Sequence, residues 1–465
     1  MEFGEDSIKK ITRDVLEAAT GGFVAQAEAG FEDAFSEEFI SRAQENGLAA
    51  LKQVHKIYRE NGICSEGSTP LSNNSERQKF TRKVLTGTCG ACAILCASYH
   101  GNHDWSNKSC QKMSRDLLDV ILGASSSPSI FRLLCGYSEV EEPPDDLVFQ
   151  DGIFGAAFQL LKTRMNKTNW KKEPASRQVF WWFLSHMKHP FVGEHLNSLL
   201  PPALLFVDDY HPTNKLLGIR CLQHIVNEVD PTELRWYGRS EVIYEALEPL
   251  LYQQEGALMR ELLPCLLSTL AVSERKQKGD DNSPGRPNRY DKVFQIILCN
   301  MEGEQKLALR REFAIFLPSL IKVMKITVLR HMKRLLRVIV TYMEVSDGKE
   351  EISRSEILEA LKVTIIETWP RIPTHSVQLT KVLLILLSDI SSIHSFNITS
   401  TARENLRKNV EECLRLLQRC DKGTVQPALR GILESSAPNQ FVRESLKRVP
   451  RMVTMECLPS RDPPI

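Results

Sequence analysis

The 465-residue chain has almost no excess of either charge, with 59 Lys and Arg against 58 Asp and Glu for a formal charge of +1. Nucleic acid and anionic membranes both reward a strong basic excess, so neither is expected as the main partner. Long apolar runs are also missing. The strongest, Val382 to Leu387, falls far short of the roughly 18 residues a membrane span needs. The N-terminus, with Glu2, Glu5, Asp6, Lys9 and Lys10, lacks the apolar core of a signal peptide. A soluble intracellular protein, cytoplasmic or also nuclear, is the expectation. Glycine-rich phosphate loops and catalytic signatures are absent: no GxxxxGK[ST], GxGxxG, HExxH or GxSxG occurs. No catalytic, cofactor-binding or metal site is expected, and a non-enzyme is favoured.

The twelve cysteines do not form a disulfide framework. Several sit at apolar helical positions (Cys92, Cys96, Cys221, Cys265), as buried thiols of a reducing compartment do. Cys89, Cys92, Cys96 and His100 would share one helix face. Ligands on a single helix cannot close a tetrahedron, and the alanines around them mark a buried small-residue helix instead. His186, His189 and His195 end a strongly aromatic helix and read as incidental, with Glu194 the only carboxylate nearby.

What the chain does have is helical periodicity almost throughout, without convincing strand alternation. Helices are expected at 8–18, 22–35, 38–60, 78–99 and 111–122, with a polar loop at 65–77. The most informative stretch is 194–227. Leu196, Leu199, Leu200, Leu204 and Leu205 form one apolar stripe, ending in the turn Asp208-Asp209-Tyr210. A second stripe follows at Leu217, Cys221, Leu222, Ile225 and Val226. Two amphipathic helices on a short turn cannot bury their apolar faces alone and need a neighbouring pair. A similar unit recurs at 245–270, and the second helices, from Asn214 and Ala257, start 43 residues apart. Later pairs (291–302 with 305–317, 319–325 with 327–344, 355–368 with 376–390) keep the pairing but lose the period. The fold class expected is all-α, an α-solenoid of degenerate HEAT-like helical repeats, with a compact helical bundle as the alternative.

The boundary signal is Ser138 to Asp146, rich in Glu, Asp and Pro, which separates an N-terminal helical region, 1–140, from a repeat domain, 141–449. A polar insertion at 273–290 reads as a mobile loop, and 450–465, with four prolines, as a flexible tail.

Two surfaces are candidates for partner contact. One is the turn with Asp208 and Asp209 and the polar side of the following helix, Lys215 and Arg220; aspartate there also suits helix capping. The other is a helix over 327–344, with Val328, Met332, Leu335 and Ile339 on one face. Arg330, Lys333, Arg334 and Arg337 lie on the opposite face, suited to an acidic partner or to plain solvation. Gly218, in mid-helix, suggests close approach of a neighbouring helix.

The run LPPALLFVDDY at 200–210, continued by NKLLGIRCLQHIV at 214–226, closely resembles the second Tel-two-interacting protein family, as do TVLRHMKRLLRVIVTY at 327–342 and ETWPR at 367–371. The similarity runs from about residue 150 to 420. It implies an α-solenoid without catalytic residues, a subunit of the Triple-T co-chaperone complex. The implied partners are the first Tel-two-interacting protein and Tel-two. With the ninety-kilodalton heat-shock chaperone, such a complex matures phosphatidylinositol-3-kinase-related kinases such as mTOR, ATM and ATR. A helical adaptor for transport or nucleic-acid-associated complexes is the competing reading.

Overall fold

The computed structural model describes residues 5–25, 35–63, 75–138, 141–142, 144, 147–167, 170–274, 287–392, 398–434 and 440–449. Those residues are helical or irregular, with no strand among them. Packing divides the chain into two units, Met1–Trp236 and Tyr237–Ile465.

The first unit contains α1 (Glu5–Gly21), α2 (Glu37–Glu60), α3 (Ser75–His100), α4 (Lys108–Ala124), α5 (Ile130–Cys135) and α6 (Phe154–Arg164). It continues with α7 (Pro174–His186), α8 (Phe191–Glu194), α9 (Leu196–Val207), α10 (Pro212–Glu228) and α11 (Pro231–Arg235). Helix α3 touches α1, α2, α4, α6 and α7. Five neighbours require a helix that is apolar and slim all round. Accordingly Ala91, Cys92, Ala93, Ile94, Leu95, Cys96 and Ala97 are all buried. The cysteines are therefore core residues, and burial pushes the thiols of Cys89, Cys92 and Cys96 up from their ordinary range. Buried hydroxyls find partners here: Tyr58 Oη lies 2.8 Å from Thr88 Oγ1, and Tyr99 Oη donates to the carbonyls of Gly22 (2.9 Å) and Ala43 (3.0 Å).

The acidic, proline-containing stretch expected to divide the chain lies inside this unit. Its two ends are pinned together, Tyr137 N donating to Gln150 O (2.9 Å) and Ile153 N to Leu133 O (3.0 Å). Gly136 and Gly152, both at positive φ, allow that approach; a Cβ on either would meet carbonyl oxygen at 2.0–2.1 Å. Helix α3 packs on α4 before the stretch and on α6 after it, which keeps both sides in one unit. The two compact units meet in the sequence at 236/237.

The second unit contains α12 (Arg239–Leu247), α13 (Gly256–Ser273), α14 (Arg289–Gly303), α15 (Leu307–Met324), α16 (Met332–Glu344) and α17 (Ile352–Thr368), then α18 (Ser376–Ser391), α19 (Ser400–Cys420), α20 (Lys422–Glu434) and α21 (Gln440–Arg448). Its packing is that of a helical repeat. Helices α13, α15, α17 and α19 form one layer and α14, α16, α18 and α20 another, each helix touching the next but one along the chain. This is an α-solenoid of HEAT-like pairs. Helix α17 is buried on several sides (Ile357, Leu358, Leu361, Val363, Ile365) because α15, α16 and α19 all cover it.

Several boundaries differ from the sequence expectation. Residues 22–25 are not helical, and most of the expected helix at 22–35 lies outside the described residues. Residues 75–77, expected in a loop, are the first turn of α3, while 65–74 lie outside. Of the 273–290 insertion, Arg289 and Tyr290 already belong to α14 and 275–286 lie outside the described residues, as does 450–465. The expected pair 319–325 with 327–344 does not exist. Residues 307–324 form one helix running through Pro318, and 325–331 form a 3-10 segment before α16. Lys325, at φ +52°, turns the chain there. A 3-10 segment keeps a period near three, so seven residues of it carry an apolar stripe much like an α-helix. Helix α13 is long and apolar enough to cross a membrane by length and composition. Its stripe of Leu258, Leu262, Leu263, Leu266 and Leu270 is buried in the unit, as a core helix requires.

Candidate interaction surfaces

The inter-helix turn after α9 is built from residues far apart in sequence. Gly218, on α10, faces α9 so closely that a Cβ would meet Val207 N at 2.6 Å and Ala203 O at 3.0 Å. This close helix pairing fixes the turn between them. Asp208 is exposed as the residue closing α9, but Asp209 is buried, which the sequence reading did not anticipate. Its Oδ1 takes Lys171 Nζ at 2.6 Å and its Oδ2 accepts from Asn214 Nδ2 at 2.5 Å. Asn214 Oδ1 in turn accepts from Arg177. Neither aspartate caps α10: its N-cap is His211, without a side-chain cap bond, and Pro212 opens the helix, needing no donor partner. Lys171 Nζ also stands 4.6 Å from the Tyr210 ring centroid and 5.5 Å from that of Trp170. Tyr210 itself is 68% exposed. Lys215 is half-buried and Arg220 exposed on α10. The turn thus presents an aromatic ring and a cation on a rigid, internally satisfied base.

The basic stretch is differently made. The apolar side is as expected, with Val328, Met332, Leu335 and Ile339 buried. The cations do not share one free face. Arg330 lies on the 3-10 segment, its Nη1 2.7 Å from Asp291 Oδ2, while His331 Nε2 is 2.9 Å from the other oxygen of the same carboxylate. Asp291 meanwhile closes a capping box with Asn288 at the start of α14. Arg334 and Arg337 reach Glu302 at 3.3 and 3.4 Å, and Arg334 also donates to Cys299 Sγ at 3.0 Å. Lys333 is exposed and forms no ion pair among the described residues. Three of the four cations therefore neutralise α14.

The histidines near the end of α7 are held separately. His186 Nδ1 lies 2.7 Å from Trp182 O, and His195 packs on the Phe154 ring at 4.7 Å. Lys171 and Arg177, which complete the turn beside Trp170, were missed because they lie 38 and 37 residues before Asp209 and Asn214. A sequence signal was nonetheless present in the adjacent Trp170-Lys171-Lys172.

The described residues define a protein of the helical-repeat class with exposed turns between its helices. Residues 154–350 match the profile of the Tti2 family. The chain is 37% identical over 353 residues to the mouse TELO2-interacting protein 2, covering 76% of this chain and 67% of that one. The human protein of the same name is 35% identical over 408 residues (87% and 75%), and the rat protein 34% over 397 residues (85% and 73%). The chain belongs to the Tti2 family. Among solved structures, an importin β superposes at TM-score 0.48 with 11% identity, covering 96% of this chain and 58% of that one.

Proposed function

We propose that this chain is a non-enzymatic scaffold that binds a TELO2 protein. The observation supporting this most directly is its identity of 34–37%, over most of its length, with three mammalian proteins named for that interaction. The fold supports the reading, since repeat helices offer exposed turns and faces to a protein partner. The resemblance of 200–226 to the second Tel-two-interacting protein extends the reading. The chain joins Tel-two and the first Tel-two-interacting protein in a Triple-T heterotrimer in the cytoplasm or nucleus. With the heat-shock chaperone, that assembly supports maturation of kinases such as mTOR, ATM and ATR.

The test is co-elution. The purified full chain mixed with TELO2, with and without the first Tel-two-interacting protein, should elute as one complex. Failure in both mixtures would sink the scaffold reading. Depletion in cells should lower steady-state levels of these kinases, and unchanged levels would remove the maturation role.

A further inference from the structure

Helix α18 is apolar on two sides. Leu379, Leu383, Leu386 and Ile390 are buried in the second unit, yet Val377 is 66% exposed and Ile385 54%. Among the large aliphatic side chains of the described residues Val377 is the most exposed and Ile385 follows it. The two are not scattered. Val377, Leu384 and Ile385 form one wall of a cleft of 460 Å³ whose other wall is Val425, Ala428 and Ile432 of α20. The spacing on α18 (i, i+7, i+8) and on α20 (i, i+3, i+7) makes both walls continuous stripes along their helices. From Val377 to Ser388 the cleft follows α18 over eleven residue-to-residue steps, about 16 Å at 1.5 Å per step. That is the length of a three-turn helix, and apolar side chains in water at such a groove mark a docking site for an amphipathic helix.

Charge indicates which helix. Lys381 lines the cleft, is exposed, and forms no ion pair among the described residues. Two carboxylates next to the ends of these helices are engaged by other groups. Asp389 holds Arg354 Nη2 at 2.8 Å. Asp421 accepts from Ser376 Oγ at 2.6 Å and from Thr424 N at 3.1 Å. We propose that the α18–α20 cleft docks a partner's amphipathic helix, with aliphatic residues at i, i+3 or i+4 and i+7 and an acidic residue beside them that meets Lys381. The inference rests on the scaffold reading above and gives it a surface that the family resemblance did not supply. Apolar contact provides the affinity, and Lys381 selects acidic over basic helices.

The probe is a fluorescein-labelled designed helix with leucines at that spacing flanked by glutamates, beside a twin with lysines in their place. Fluorescence anisotropy is measured against the full chain. The acidic peptide should bind, and more tightly than the basic one. Ile385→Glu, at an exposed position, should leave the helical circular-dichroism spectrum unchanged and weaken binding by roughly tenfold or more. Lys381→Glu should invert the preference between the two peptides. Equal binding of the two peptides, or wild-type affinity in both variants, overturns the proposal. So does a dimer of the chain that Ile385→Glu splits, which makes a second copy the occupant. Truncation after residue 449 that raises peptide affinity overturns it too, assigning the cleft to the chain's own tail. Failure of TELO2 to co-elute while the acidic peptide still binds selectively counts against the partner reading and supports the cleft.

Discussion

The turn after α9 and the basic stretch before and within α16 looked alike as sequence, each a cluster of charge on a helical-repeat surface. In the structure they are opposites. At the turn, the buried charge, Asp209, is structural and the exposed groups around it, Asp208, Tyr210 and Arg220, remain at the surface. At the basic stretch, the charges that appeared to face outward are held by Asp291 and Glu302 of α14, and Lys333 alone lacks an ion pair among the described residues. A run of like charge in one helix tells nothing about the opposite charge that tertiary packing sets beside it. Partner contact is better sought where charge is left over after such pairing.

The sharpest break in this comparison comes from Gly218→Leu. The new side chain meets the backbone of α9, which cannot move aside as a side-chain tip would. A loss of about 3 kcal/mol, seen in chemical denaturation, is expected. Wild-type stability would mean that the α9–α10 pairing does not set the turn. Next, Asp291→Ala removes the capping box and leaves Arg330 and His331 without their carboxylate. The expected cost is about 2 kcal/mol, combining a lost cap with lost charge-assisted bonds.

Asp209→Ala leaves the buried Asn214 Nδ2 without its carboxylate acceptor and costs a similar or slightly smaller amount, about 1–2 kcal/mol. An unaffected midpoint would show Asp209 to be a surface group after all. Smallest are Lys333→Glu and Asp208→Ala, which should change stability by no more than about 0.5 kcal/mol. Their readout is complex formation with TELO2. If Lys333→Glu weakens co-elution and Asp208→Ala does not, the basic stretch is the contact; the reverse result assigns it to the turn.

Much of the fold was legible beforehand, and particular elements show why. Helices α2, α4, α10 and α14 appear within a few residues of their expected positions because each carries an apolar stripe and polar ends. The expected helices 305–317 and 319–325 part at Pro318, a residue that ordinarily stops a helix, yet 307–324 are one helix, α15. It continues because Phe313, Leu317, Leu320 and Ile321 on either side are buried, α15 packing on α17, and that offsets the lost backbone bond. Gly218 was read correctly, since a mid-helix glycine has few reasons to exist other than close packing. The Lys171–Asp209–Asn214 set was not legible, because nothing local announces which residue 38 positions away will supply a cation.

The amino-acid order by itself determined the helical class, the turn between α9 and α10 and the family to which the chain belongs. These follow from period, from turn residues and from long collinear similarity, all of them local along the chain. Tertiary structure alone decided that the division falls at 236/237, that Asp209 is interior, that Arg330, Arg334 and Arg337 are paired, and that among the described residues Val377 and Ile385 of α18 stay exposed beside α20. Each of those is a relation between segments distant in sequence. Burial and charge pairing are properties of the neighbours a residue acquires on folding, and a one-dimensional pattern records the residue without recording its neighbours.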